Sequence, residues 1–179
     1  QADLPWTTHG DIACPLLSTE RELAEGDVLW VDTGIIYAGY HSDFGRTWVV
    51  GAEPTERQRQ QYSKWREITD AALSVLRAGA TAADITAAAM AVADGGKPWM
   101  AHFYIGHGLG LESAESPYVG TDLGDDYDKR LVLEAGTVVV IEPVVWDEGH
   151  SGYRSENVFV VTDDGYLELS DYPYDPYGD

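Results

Sequence analysis

The chain has 179 residues, with 31 acidic against 11 basic side chains and a formal charge of −20 at pH 7. Such an excess repels phosphate backbones and anionic lipid, so neither nucleic acid nor a membrane surface is an expected partner. No apolar run approaches the roughly 20 residues that span a bilayer, no secretory signal pattern is recognised, and the one cysteine, Cys14, cannot form an internal disulfide; a cytoplasmic, reducing compartment is expected.

In chain order, residues 28–32 read as a strand, 37–40 as a reversal and 41–50 as the return of a hairpin. A turn centred between Tyr37 and Ala38 sets Asp32 directly opposite Asp43. Their Cβ atoms would lie roughly 5 Å apart, a repulsive pairing that a cation between them reverses. For this pair alone, a hairpin centred elsewhere on a wet face is an equal alternative. Pro54 opens a helix to about Leu76, with Tyr62, Trp65, Ile68, Ala72, Leu73 and Leu76 at helical spacing. Arg77-Ala78-Gly79 ends it. Thr81 caps a second helix to about Ala93, with Asp84 as capping-box partner. Residues 99–107 read as an extended approach to Gly106-His107-Gly108-Leu109-Gly110, followed by a loop through Tyr127. An apolar strand over 138–142 ends on Glu142, in parity with Val138 and Val140. Another over 153–161 carries Glu156 in parity with Val158 and Val160. Residues 1–170 form one α+β domain, and 171–179 an irregular acidic tail rich in Tyr and Pro, whose tyrosines are placed to cover a neighbouring chain. The six tryptophans and eleven tyrosines suit either packing or a pocket wall for a compact apolar group; Trp30 and Trp48 lie nearest the acids.

Asp32, Asp43, His107, Glu142 and Glu156 each sit beside an apolar run or a glycine turn. A carboxylate in such a place must be paired, hydrogen-bonded or metal-bound. Singly, each has an ordinary reading: His107 as a hydrogen-bonded core residue, Glu142 as a strand-end charge reaching water, Glu156 as a partner of Arg154. Jointly they are explained most economically by a dinuclear metal site. Oxygen ligands with one imidazole suit manganese first, and cobalt, zinc or iron as alternatives.

The order of these residues resembles the pita-bread metallopeptidase family, which includes methionine aminopeptidase, aminopeptidase P and prolidase, with creatinase as a metal-free relative. The likeness runs from about Leu23 to Leu169: Asp32, then Asp43 within His41-Ser42-Asp43 before Arg46-Thr47, His107 within Gly-His-Gly-Leu-Gly, Glu142 within Ile-Glu-Pro, and Glu156 two residues after Arg154. It implies the pita-bread fold, a curved, mainly antiparallel sheet with two packed helices. It also implies that Asp32 holds one metal, that Asp43 and Glu156 bridge both, and that His107 and Glu142 hold the second. Family members place two helices and a strand before this pattern, so the chain is expected to be N-terminally incomplete and, with an apolar edge to cover, a homodimer.

Three positions depart from the family. Its second histidine, seven residues after the ligand histidine, is Ala114 here. The position four before that ligand is Phe103, with His102 one residue further away. The upstream histidine falls near Cys14, with His9 out of register. In a hydrolytic reading, Glu142 is the expected proton shuttle, Arg154 buttresses Glu156 or meets a substrate carboxylate, and His102, His41 and Tyr104 are candidates for the depleted shell. The implied activity is cleavage of an amino-terminal peptide bond before proline, or of a proline dipeptide. The alternative, favoured by Ala114, is a lyase or amidase on a small molecule, or a metal-binding scaffold.

Overall fold

The computed structural model describes residues 20, 22–94, 96–98, 104–147 and 151–177. The hairpin consists of β1 (Val28–Thr33), β2 (Ile36–Tyr37), β3 (Tyr40–His41) and β4 (Phe44–Val49). One register holds throughout, from Val28↔Val49 through Asp32↔Gly45 to Tyr37↔Tyr40. The turn is therefore centred between Ala38 and Gly39, one residue beyond the expected place, with φ of 51° and 89°. Two left-handed residues match the twist of the flanking strands, and only this centring puts a glycine in the loop. Asp32 accordingly faces Gly45 and not Asp43. The two acids are diagonal neighbours on one side of the ribbon, still within reach of each other.

Helix α1 (Glu56–Leu73) starts at Thr55, whose side chain and that of Gln58 cap each other's backbone, so it begins slightly later and ends earlier than its apolar spacing suggests. Helix α2 (Ala82–Val92) has the expected reciprocal cap between Thr81 and Asp84. The stretch expected as a loop contains, after β5 (Gly106–Gly108), a strand β6 (Glu115–Val119) and a short helix α3 (Asp125–Asp128). Strand β6 lies at the sheet edge, where Pro117 is tolerated, and its polar residues hide the strand from pattern reading. The remaining strands are β7 (Val138–Ile141), β8 (Val144–Trp146), β9 (Gly152–Arg154), β10 (Asn157–Val161) and β11 (Tyr166–Glu168). They give a five-stranded sheet of order β11-β10-β7-β5-β6, with β8 pairing β9 separately. All of these pairings are antiparallel.

Strand alternation sorts the sheet into two faces. Ile105, Val119, Val139, Ile141, Phe159 and Val161 pack against Ile68, Ala72, Leu76, Ile85 and Ala89 of the helices and their connection, forming the main core. The opposite face carries a smaller apolar cluster of Val140, Val158 and Leu109 with the partly buried Val138. His107 is the cross-strand partner of Val140, so its side chain belongs to this second face.

Two of the tail tyrosines are covered within the chain itself. Tyr174 and Tyr177 are buried in a socket with Trp65 of α1 and Tyr153 of β9, with ring centroids 4.8 Å apart for Tyr153 and Tyr177 and 5.3 Å for Trp65 and Tyr174. Two large rings at the α1–β9 junction leave apolar surface that only a third element can cover, and residues 174–177 supply it. Burial pushes the hydroxyls of Tyr153, Tyr174 and Tyr177 above their ordinary value. A raised folded pKa means that the stability contribution is complete below the unfolded value of about 10 and is lost as pH climbs past it. Absorbance titration at 295 nm should therefore show one group of tyrosines ionising normally and a second ionising only together with loss of near-ultraviolet circular dichroism. A single normal phase for all eleven tyrosines would contradict the buried socket.

Candidate metal centre

Two sheets deliver the five candidate side chains to one place. Asp32 comes from the last part of β1, and Asp43 from the residue before β4. His107 is central in β5, Glu142 follows β7, and Glu156 precedes β10. The β7–β10 ladder ends at the Ile141↔Asn157 pair, so Glu142 and Glu156 leave the two strands side by side, both against Arg154.

The ribbon is joined to the large sheet at one bridge, Gly45↔Glu156, where the Glu156 amide donates to the Gly45 carbonyl at 3.1 Å. A Cβ on Gly45 would lie 2.8 Å from the Glu156 carboxyl carbon, so only glycine admits this approach. Carboxylate oxygens of Asp32, Asp43 and Glu156 then fall within 4.8 Å of one another. His107 Nε2 lies 3.4 Å from Asp43 Oδ2 and 3.3 Å from Glu142 Oε1. Its Nδ1 is 2.9 Å from the carbonyl of Gly108, which fixes that nitrogen as the donor and leaves Nε2 for the carboxylate side. Arg154 ion-pairs with Glu142, reaches Glu156 at 3.6 Å and stacks over Trp30 at 4.2 Å. It touches two acids at once.

Charge in this cluster is poorly balanced, with four carboxylates around one guanidinium and one imidazole. Burial pushes the Glu156 carboxyl well above the usual range, and the neighbouring Asp43 and Asp32 add to this against the pull of Arg154. Burial also raises Asp32. For Asp43, burial is outweighed by hydrogen bonds with His107 and Glu156, and the carboxyl is held low. Glu156 Oε1 is buried without a hydrogen-bond partner among the described residues. Crowded hard oxygens, an orphaned buried acceptor and a ring nitrogen facing them fit divalent cations, with Asp32, Asp43 and Glu156 able to share one and His107 and Glu142 placed beside them.

The cluster opens into a cleft of about 480 Å³ whose walls include Ile35, Ile36, His41, Tyr104 and Ala114. Ala114 thus stands at the cleft, where a longer side chain would enter it. Tyr104 packs edge-on to His107 at 5.3 Å. Trp30 lies beneath Arg154, buried, and is not among the wall residues, and neither is Trp48. His102, Phe103, His9 and Cys14 lie outside the described residues. One participant escaped sequence reading, Gly45, whose signal was a glycine inside a strand; Arg46 entered only as part of the family pattern, with no role attached.

Residues 4–163 match the family model for metallopeptidase family M24. The chain belongs to this family. Among M24-like relatives, a probable dipeptidase PepE of Mycobacterium tuberculosis is 38% identical over 162 residues, 88% of this chain and 40% of the relative. The Xaa-Pro dipeptidase of Pyrococcus furiosus is 31% identical over 156 residues, 86% of this chain and 42% of the relative. Among solved structures, the prolidase from Pyrococcus furiosus superposes with a TM-score of 0.72 at 30% identity, covering 87% of this chain and 44% of that one. X-Pro aminopeptidase from Thermotoga maritima superposes with a TM-score of 0.75 at 27% identity, covering 88% and 43%. The chain spans about two fifths of the length of these relatives. The α+β pita-bread architecture of the M24 family is the fold observed here.

Gly45→Ala is expected to drive the Glu156 carboxyl out of the cluster. Calorimetric titration with Co²⁺ should show binding weakened by about 10-fold or more while far-ultraviolet circular dichroism stays unchanged. Wild-type affinity in that variant would mean that Glu156 is not a ligand.

Proposed function

We propose that this chain carries the metal centre of a two-metal hydrolase that cleaves an amino-terminal peptide bond before proline, or a proline dipeptide. The observation that carries the reading is the convergence of Asp32, Asp43, His107 and Glu142 on one cleft, with the buried Glu156 within reach of Asp32 and Asp43. The printed names of the relatives, dipeptidase, Xaa-Pro dipeptidase and prolidase, support the substrate class. Divalent ions bound there, manganese first, would supply Lewis acidity and lower the pKa of a water molecule. Asp32 and Asp43 would hold them from the ribbon side and His107, Glu142 and Glu156 from the sheet side. Glu142, at the cleft and paired with Arg154, would take the proton of the attacking water and return it to the leaving nitrogen. Arg154 would keep Glu142 and Glu156 apart and aimed inward.

A second reading rests on Ala114. With no histidine at this wall position, the carbonyl of a peptide loses a donor worth on the order of 100-fold to 1000-fold in rate, and a lyase or amidase acting on a small molecule becomes the alternative. A homodimer is part of the proposal, supported by the exposed Ile35, Ile36, Tyr37 and Tyr40 of the hairpin. So is a cytoplasmic setting, in keeping with the single cysteine; among the described residues no helix is long and apolar enough to cross a membrane.

The deciding measurement is metal content together with proline release from dipeptides and tripeptides by the whole chain loaded with Mn²⁺. Two ions per chain with proline release supports peptide hydrolysis. Two ions without release moves the assignment to the small-molecule reading, and no uptake of metal removes both. Asp43→Ala should abolish loading of two ions. Ala114→His should raise peptide turnover by about 10-fold or more if the depleted wall limits the reaction; unchanged turnover would mean that another group already polarises the carbonyl.

A further inference from the structure

Arg46 is 1% exposed, and a buried guanidinium must satisfy a rigid fork of donors. Its acceptors are main-chain carbonyls from three parts of the fold. Nη1 donates to Gly45 at 2.8 Å and to Glu156 at 2.7 Å. Nη2 donates to Tyr172 at 2.9 Å, and Nε to Pro173 at 3.4 Å. The guanidinium also lies against aromatic rings, 4.7 Å from the centroid of Phe44 and 4.6 Å from that of Tyr174.

These contacts meet at the junction that spaces the candidate ligands. Gly45 is the cross-strand partner of Asp32, lies two residues after Asp43 and bridges to Glu156. A shift of Gly45 relative to Glu156 would change the separation of all three acids. On the other side, the segment gripped by Arg46 leads directly into the buried socket of Tyr174 and Tyr177. The chemistry proposed above uses none of these contacts.

We propose that Arg46 is a positioning residue: it clamps a carboxy-terminal strap, residues 172–174, onto the Gly45–Glu156 bridge and thereby sets the spacing of Glu156 from Asp32 and Asp43. The clamp rests on the reading of those acids as metal ligands. Arginine suits the task because its planar fork reaches acceptors in two directions at once, whereas a lysine ammonium is a compact charge with three donors at one point. Coupling between two sites is reciprocal, so a cation held by Glu156 steadies the strap as much as the strap steadies Glu156.

The test uses the whole chain with Co²⁺ as probe. In the wild-type protein, saturation with Co²⁺ should slow amide hydrogen exchange in residues 172–177. In Arg46→Lys, Co²⁺ affinity measured by calorimetry should fall about 10-fold, the visible absorption of the bound ion should shift, and the Co²⁺-dependent protection of the strap should vanish, with far-ultraviolet circular dichroism unchanged. Wild-type affinity and spectrum in Arg46→Lys would overturn the clamp, as would a wild-type strap whose exchange ignores bound Co²⁺. If Arg46→Lys does not fold, the wild-type exchange experiment decides alone. A wild-type chain that takes up no Co²⁺ overturns the ligand reading and the clamp with it, a result distinct from uptake without strap protection.

Discussion

The close approach of Gly45 to Glu156 is the contact on which the site depends. The hairpin strands pair with one another and not within the main sheet, which the ribbon meets at the Gly45↔Glu156 bridge. Asp32 and Asp43 ride on the first sheet, and His107, Glu142 and Glu156 on the second. A side chain at position 45 would meet the Glu156 carboxylate and push it away from Asp32 and Asp43. Arg46 and Thr47 reinforce the same seam, Arg46 through the Glu156 carbonyl and Thr47 through its hydroxyl to the Arg154 carbonyl.

The sheet then acts as a partition. Its helix-facing residues are aliphatic or aromatic and give the protein its core, while the other face holds the charged groups. Glu156 is the most deeply placed of the five ligand candidates, at 1% exposure, and burial pushes its carboxyl well above the usual range. Such a group is costly in its ionised form unless a cation or a strong donor meets it. Arg154 meets part of that need, and the rest is what makes the cluster attractive to divalent ions. The membership of the chain in family M24 agrees with this reading from an independent direction.

Much of this was legible in the letters. The two capped helices, the apolar strands on either side of Glu142 and Glu156, and the glycine-flanked His107 all follow from periodicity and local chemistry, because each depends on near neighbours. Gly108 illustrates the last point, since a Cβ there would lie 2.4 Å from the Ser116 carbonyl oxygen. The hairpin register was not legible, because a shift of one residue in the turn moves the pairing by two and both centrings leave the acids on one side. Strand β6 was hidden by its polar edge character. The socket that receives Tyr174 and Tyr177 depends on Trp65 and Tyr153, more than 85 positions apart in the chain, and no local pattern reports contacts of that range.

Strand alternation also guards the fold against its own nearest error. Along β7 and β10 the core residues Val139, Ile141, Phe159 and Val161 are interleaved one for one with residues of the charged side. If one strand slid by a single residue, Glu156 would be turned toward the alanines and leucines of the helices and Phe159 toward water. Both halves of that exchange are unfavourable, so the acids that equip the cleft also discriminate against a one-residue slip of the sheet, and chemistry and correct alignment are selected by the same side chains.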